Sequence, residues 1–233
     1  MNNFKCGIKI LDKKLNGFNS GDLTVCASRP CHGNLYLILS IVRGIHQSNI
    51  LKTKSILFTD IPTRKISEFC AGDEHILDIY NYDEMDFKQF SENFKEQIAK
   101  HQPKTVIVEC TEMNFNSGKD YFRLLKRTAR EYGIIIFVKA YLKRTWAQRT
   151  SKYHPLIADI ESSPIMEKLA DTIILMYRPE IYGIRDTSGR EQIGIADLTI
   201  FSYDTAHRNI YLNFDAQKKE FNEEIKNRGY YFL

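Results

Sequence analysis

The 233-residue sequence has no apolar run approaching the roughly 18 residues that a bilayer-spanning helix needs. Its opening, MNNFKCGIKIL, has neither a long apolar stretch nor a small-residue cleavage site, so no secretory signal is expected. Cysteines are few: Cys6, Cys26, Cys31, Cys70 and Cys110 are odd in number and form no C-x-x-C pair. That excludes a disulfide framework and fits free thiols in a reducing cytoplasm. The six histidines show no metal-ligand spacing, so no structural metal is expected. There is no repeat, no low-complexity stretch and no linker. The reading is a single domain over residues 1–233 with no membrane partner.

Hydrophobic residues make up 43% of the chain and charged residues 27%, ordinary values for a globular protein. Net charge is only +4, but it is unevenly placed. Residues 119–152 carry ten lysines and arginines against Asp120 and Glu131, or +8 locally. Such a segment marks either a solvated face or a surface for a phosphate-rich partner.

Short apolar runs alternate with amphipathic stretches. DLTVCA (22–27), KSILFTD (54–60), HILDIY (75–80), TVIVE (105–109), IIIFV (134–138) and DTIILMY (171–177) read as strands. Helical spacing follows from about Leu35 to His46, after an Asp86 N-cap with Phe87, Phe90, Phe94 and Ile98 on one side, and from Ser117 to about Tyr132. Buried strands separated by helices predict an α/β fold, with a mostly parallel sheet covered on both faces. Residues 193–202 and 209–214 alternate instead, and predict a C-terminal β-hairpin. The stretch 139–163 lacks periodicity and reads as a long functional loop.

The first strong strand runs into ASRPCHGNLYLIL. Strand, turn, glycine and helix is the layout of a phosphate-binding P-loop, in which backbone N–H groups and a helix N-terminus cradle phosphates. That motif requires a lysine and then a serine or threonine after its last glycine, for the phosphates and Mg²⁺. Asn34 and Leu35 stand there, and Ser28 replaces the first glycine. Arg29, Pro30, Cys31, His32 and Gly33 complete the candidate nucleotide-binding loop. His32 itself reads as a solvent-exposed turn residue rather than a catalyst.

Two flanking blocks carry a resemblance. GIKILDKKLNGFNSGDLTVCASRP contains Leu-Asp-x-x-x-x-Gly, then Gly-Asp-Leu, then Arg-Pro. DIESSPIMEKLADTIILMYRPEIY places Asp159, Ser163, Glu167, Ala170, Asp171, Tyr177, Arg178, Glu180 and Tyr182 in register with a second pattern. Together they resemble the C-terminal motor domain of DnaB-type replicative helicases, over roughly residues 7–214. The resemblance implies a RecA-like P-loop NTPase fold and a Walker B strand at TVIVE. It places Glu109 at the Mg²⁺-positioning carboxylate and Asp60 or Ile61 at the water-activating glutamate. It puts a sensor glutamine near Lys139 or Ala140, and Ser202 and Asp204 where trans-acting basic residues stand. It implies DNA-contacting loops in which Lys119, Lys139, Lys143, Arg144, Arg149 and Lys152 are candidates. Trp146 either stacks a base or packs under its loop. The N-terminal domain that gives the family its rings and primase contact has no counterpart, which implies a monomer or weak dimer.

One arginine finger is worth about 10³–10⁵ in rate. Losing it together with the P-loop lysine and the Mg²⁺ ligand leads to a catalytically inactive pseudo-ATPase with no cofactor. Its expected role is as an accessory protein of DNA replication or recombination. It would bind single-stranded DNA weakly, or an intact helicase or another replication protein. The competing readings are a divergent active helicase using ATP and Mg²⁺, and a protein-binding scaffold.

Overall fold

The computed structural model describes residues 2–109, 118–143, 154–160, 163–186, 188–202 and 205–223. In chain order its elements are β1 (Asn3–Phe4), α1 (Lys9–Leu15), β2 (Phe18–Asn19), β3 (Leu23–Ser28), α2 (Asn34–Asn49), β4 (Ser55–Thr59) and α3 (Thr63–Phe69). Next come β5 (Leu77–Asn81), α4 (Phe87–His101), β6 (Thr105–Glu109), α5 (Gly118–Tyr132), β7 (Ile135–Tyr141) and α6 (Ser163–Leu169). The chain continues with β8 (Thr172–Tyr177), β9 (Ile195–Ser202), β10 (Thr205–Asp215) and β11 (Glu220–Asn222).

The main sheet runs β11-β10-β9-β8-β3-β7-β6-β4-β5. From β8 to β5 all neighbours are parallel, and β9, β10 and β11 add antiparallel pairings at one edge. Alternation along each parallel strand sorts side chains to two faces. Ile107, Ile135 and Phe137 pack with α2 residues such as Leu37 and Ile41, while Val106, Val108, Ile136 and Val138 pack with Phe90, Phe94, Phe122 and Leu125 of α4 and α5. Helices therefore cover both sides, as the continuous apolar strands predict.

The N-terminus of α4 forms as its residues dictate. Asp86 Oδ1 accepts from the Gln89 amide at 2.8 Å, and Gln89 Oε1 accepts from the Asp86 amide at 2.9 Å, a reciprocal capping box. The resembling blocks turn out to be backbone anchors. Asp12 accepts the amides of Cys6 (2.8 Å) and Gly7 (2.9 Å), Asp22 accepts that of Asn19 (2.8 Å), and Asp171 accepts that of Leu23 (2.7 Å). Charged acceptors on backbone amides make strong bonds, which is why these carboxylates sit at element boundaries. At Gly44, midway along α2, an added Cβ would lie 1.6 Å from the Cys6 carbonyl oxygen, so the amino-terminal segment crosses α2 where no side chain fits.

The structure departs from expectation at three places. β7 extends to Tyr141, so Lys139 and Ala140 lie inside a strand rather than in the long loop that begins at 139 in the sequence reading. Within that stretch the described residues also contain a 3₁₀ turn, Ile157–Asp159. Beyond the expected hairpin the sheet gains a further strand, β11, because Phe221 is buried against α2 and its amide donates to Ser40 Oγ at 2.9 Å. No helix among the described residues is long and apolar enough to cross a membrane.

Candidate active site

The carboxyl ends of β4, β6, β3, β7 and β8 converge on the loop that follows β3, the usual ligand position in open parallel sheets. Ser28 ends β3, fully buried, with its hydroxyl on the Arg29 carbonyl at 2.9 Å. Arg29 Nη1 donates to the Leu142 carbonyl at 2.8 Å, which ties the loop to the end of β7. Cys31 is exposed at the loop tip with φ 67°, and Gly33 has φ 89°, a left-handed geometry that glycine adopts at no steric cost.

At the two positions that follow Gly33, the side chains point inward. Asn34 is buried; its Nδ2 donates to the Ala140 carbonyl at 3.0 Å and its Oδ1 accepts the Leu35 amide at 3.1 Å. Leu35 is only 4% exposed and belongs to the core on the α2 face. A helix N-terminus offers its free amides to anions. Here the Leu35 amide is taken by the neighbouring side chain.

His32 corrects the expectation of a solvent-exposed turn residue: it is 2% exposed. Its Nδ1 lies 3.1 Å from the Pro30 carbonyl, and its ring sits 5.4 Å from Tyr182 and 6.5 Å from Tyr177. Burial, with help from the Arg178 charge, lowers its pKa and outweighs the bond to Pro30, which keeps the imidazole neutral.

Glu109 ends β6 with 1% exposure. Its Oε1 accepts from Lys139 Nζ, its Oε2 accepts from the Thr59 hydroxyl, and its carbonyl accepts from the Tyr82 hydroxyl. Lys139 is its register partner on β7 and lies 5.0 Å from the Tyr141 ring centroid. Burial disfavours the Lys139 charge, but the Glu109 carboxylate and Tyr141 more than compensate and its pKa is raised. Lys139 is therefore withdrawn as a DNA contact: its ammonium is buried and already paired. Asp60 follows β4, and burial together with the Glu109 charge raises its pKa. Ile61 lines the neighbouring cavity, and its amide donates to Thr59 Oγ1 at 3.0 Å.

That cavity, about 480 Å³, lies over the loop and is walled largely by Leu35, Tyr36, Ile61, Phe69, Tyr141 and Phe214. Lys139 and Arg178 also line it. Arg178 pairs with Glu180 and lies 4.4 Å over the Phe214 ring, so both cations at the cavity already have internal carboxylates. Glu180 Oε2 further accepts the Gly194 amide at 2.6 Å. Sequence reading missed Thr59, Tyr82 and Phe214. Only Thr59, next to Asp60 at a strand end, carried a signal for it.

Of the other basic candidates, Lys119 is exposed on α5. Lys143 is half-buried with its Nζ on the Ala158 carbonyl at 3.1 Å. Arg144, Trp146, Arg149 and Lys152 lie outside the described residues, as does Asp204. Ser202 pairs with Thr172 at the opposite edge of the sheet from the loop. Lys126, one of the ten basic residues of the 119–152 segment, is buried, where it pairs with Asp171 and donates to the Gly21 carbonyl at 3.1 Å.

Sheet order, two-sided helical cover and a strand–loop–helix at the carboxyl edge define a RecA-like domain of the P-loop type. The fold agrees with solved structures. An ATPase domain superposes with TM-score 0.74 at 17% identity, over 95% of this chain and 91% of that one. A DnaB-like replicative helicase, solved in a study of its interactions with primase, superposes with TM-score 0.71 at 16% identity, over 95% of this chain and 62% of that one. The family model of the DnaB-like helicase C-terminal domain matches residues 119–223. The replicative DNA helicase DnaB of Mycobacterium leprae is 28% identical over 63% of this chain and 24% of its own length. That of Haemophilus influenzae is 24% identical over 96% of this chain and 56% of its own length. Residues 119–223 are thus similar to the DnaB-like helicase C-terminal domain, and the likeness in fold extends over 95% of the chain. It spans about a quarter to just over half of the length of these curated relatives.

Proposed function

We propose that this chain is a DnaB-like motor-domain relative that does not hydrolyse ATP and serves replication as an accessory protein. The observation that carries the reading is the inward turn of Asn34 and Leu35. Phosphoryl transfer relies on positioning and charge stabilisation. Where a P-loop presents an ammonium and a hydroxyl to phosphates and metal, this loop presents an amide spent on Ala140 and a leucine spent on the core. A magnesium-bound nucleotide does not fit these residues. The Leu35 amide and both oxygens of the Glu109 carboxylate are engaged from within the chain.

The Walker A sequence is thus degenerate in function as well as in letters, and no nucleotide cofactor is used. The relatives are replicative helicases, and one solved neighbour was studied with primase. A replication protein or single-stranded DNA is accordingly the partner we assign. Steady-state phosphate release, measured with and without single-stranded DNA, tests this. Background rates and no calorimetric Mg-ATP binding below the millimolar range are expected. A clear rate abolished by Glu109→Ala would overturn it.

A further inference from the structure

Glu109 and Lys139 are partners on adjacent parallel strands, and their side chains meet at the carboxyl edge of the sheet. Both oxygens of the carboxylate carry a donor, Lys139 Nζ on one and the Thr59 hydroxyl on the other. Asp60 follows Thr59 directly at the carboxyl end of β4, the strand that pairs with β6. Two carboxylates and a hydroxyl at one edge are hard oxygen donors of the kind that divalent cations take. In this chain a compact point charge on a four-carbon stem reaches the same oxygens from β7.

Burying that ammonium is costly. Removing one member of such a pair leaves an uncompensated charge in the interior. A cation is needed there once Glu109 is ionised, and the chain supplies its own.

We propose that Lys139 is a tethered cation in the place of a divalent metal, so that Glu109, Thr59 and Asp60 exclude metal in this chain and accept it once the ammonium is removed. This rests on the reading of the loop as unable to take Mg-ATP and extends it to the metal side of the site. It assigns the departure from the P-loop pattern to two separate changes. One is at Asn34 and Leu35 on the phosphate side, the other at Lys139 on the metal side.

The test compares the unmodified chain with Lys139→Ala, Lys139→Arg and the double variant Lys139→Ala with Glu109→Gln. The probe is Mn²⁺, counted by paramagnetic resonance, together with melting in Mn²⁺ and in EDTA. The unmodified chain and Lys139→Arg should hold no Mn²⁺ that depends on Glu109, and should melt identically in the two buffers. Lys139→Ala should melt lower in EDTA, gain a single Mn²⁺ per chain and recover part of its melting temperature in Mn²⁺. The double variant should lose both gains. If Lys139→Ala does not accumulate folded, dilution from urea into Mn²⁺ or EDTA gives the same comparison, with folded protein recovered only in Mn²⁺.

An Mn²⁺ site in the unmodified chain that Glu109→Gln removes overturns the proposal. So does a Lys139→Ala variant indifferent to Mn²⁺ in both melting and refolding, because the pair would then be a plain internal salt bridge. Nucleotide binding by the unmodified chain in EDTA would defeat the preceding reading of the loop and leave this one standing.

Discussion

The side-chain amide of Asn34 donates to the Ala140 carbonyl at 3.0 Å, and so joins the first residue of α2 to β7 across the mouth of the loop. The bond fixes the loop in a shape in which position 34 faces the protein and not a ligand. Reinstating a P-loop by Asn34→Lys with Leu35→Thr must break that bond and take apolar volume out of the core. Large-to-small core changes cost about 2–5 kcal/mol and a lost hydrogen bond about 1 kcal/mol. The double variant should unfold at lower urea, by about 3 kcal/mol or more. Unchanged stability would show that neither side chain is engaged as described.

Asp197 on β9 is 4% exposed, beside Tyr177 and Tyr211 in register, with His154 Nδ1 3.3 Å from its Oδ2. Burial pushes its carboxyl up to about 7, and at lower pH it carries the proton. The sign follows from linkage. The folded chain holds this proton more tightly than the unfolded chain, so stability falls as pH rises from about 4 to about 7 and then levels off. The whole change is on the order of 4 kcal/mol at most. Asp197→Asn should flatten this slope and exceed the unmodified chain in stability at pH 8, read from urea midpoints across the pH range. A slope untouched by the substitution would assign it to other groups.

Gly44→Ala tests the crossing of the amino-terminal segment over α2. On an isolated helix alanine is favoured over glycine by about 1 kcal/mol. Here the added methyl would meet the Cys6 carbonyl oxygen at 1.6 Å, backbone that cannot swing aside like a side-chain tip. The clash should win, with a loss of about 3 kcal/mol. A variant as stable as the parent would mean that the segment before α1 is not packed there.

Lys119 and Lys143 remain the described basic residues of the DNA reading, with Arg144 and Arg149 following in the sequence. If single-stranded DNA is the partner, affinity should fall steeply with salt, because each phosphate contact releases counterions. Replacing Lys143, Arg144 and Arg149 with Glu should remove most binding. The same change at Lys218 and Lys219, on the turn between β10 and β11, should not. Equal loss from both sets, or no binding at about 50 mM salt, would favour a protein partner.

Much of this molecule is written in local pattern. Strands such as TVIVE and the helix capped by Asp86 form where periodicity and capping chemistry place them, because their determinants lie within a few residues of one another. The loop after β3 was legible for the same reason: the residues at 34 and 35 are visible as letters. β11 was not. Its three residues become a strand only through Phe221 packing on α2 and pairing with β10, contacts set far away in the chain.

Lys139 marks the boundary most clearly. By sequence it is one of ten basic residues in a charged segment, next to a strand end, and local rules assign it to a solvated loop. Its burial, its pairing and the fate of Glu109 follow from the parallel register of β6 and β7, which sets Glu109 against Lys139. Thirty residues separate the two along the chain, and no local propensity links them. The residue types present at the site could be read from the sequence; which of them neutralise one another was decided by strand register alone.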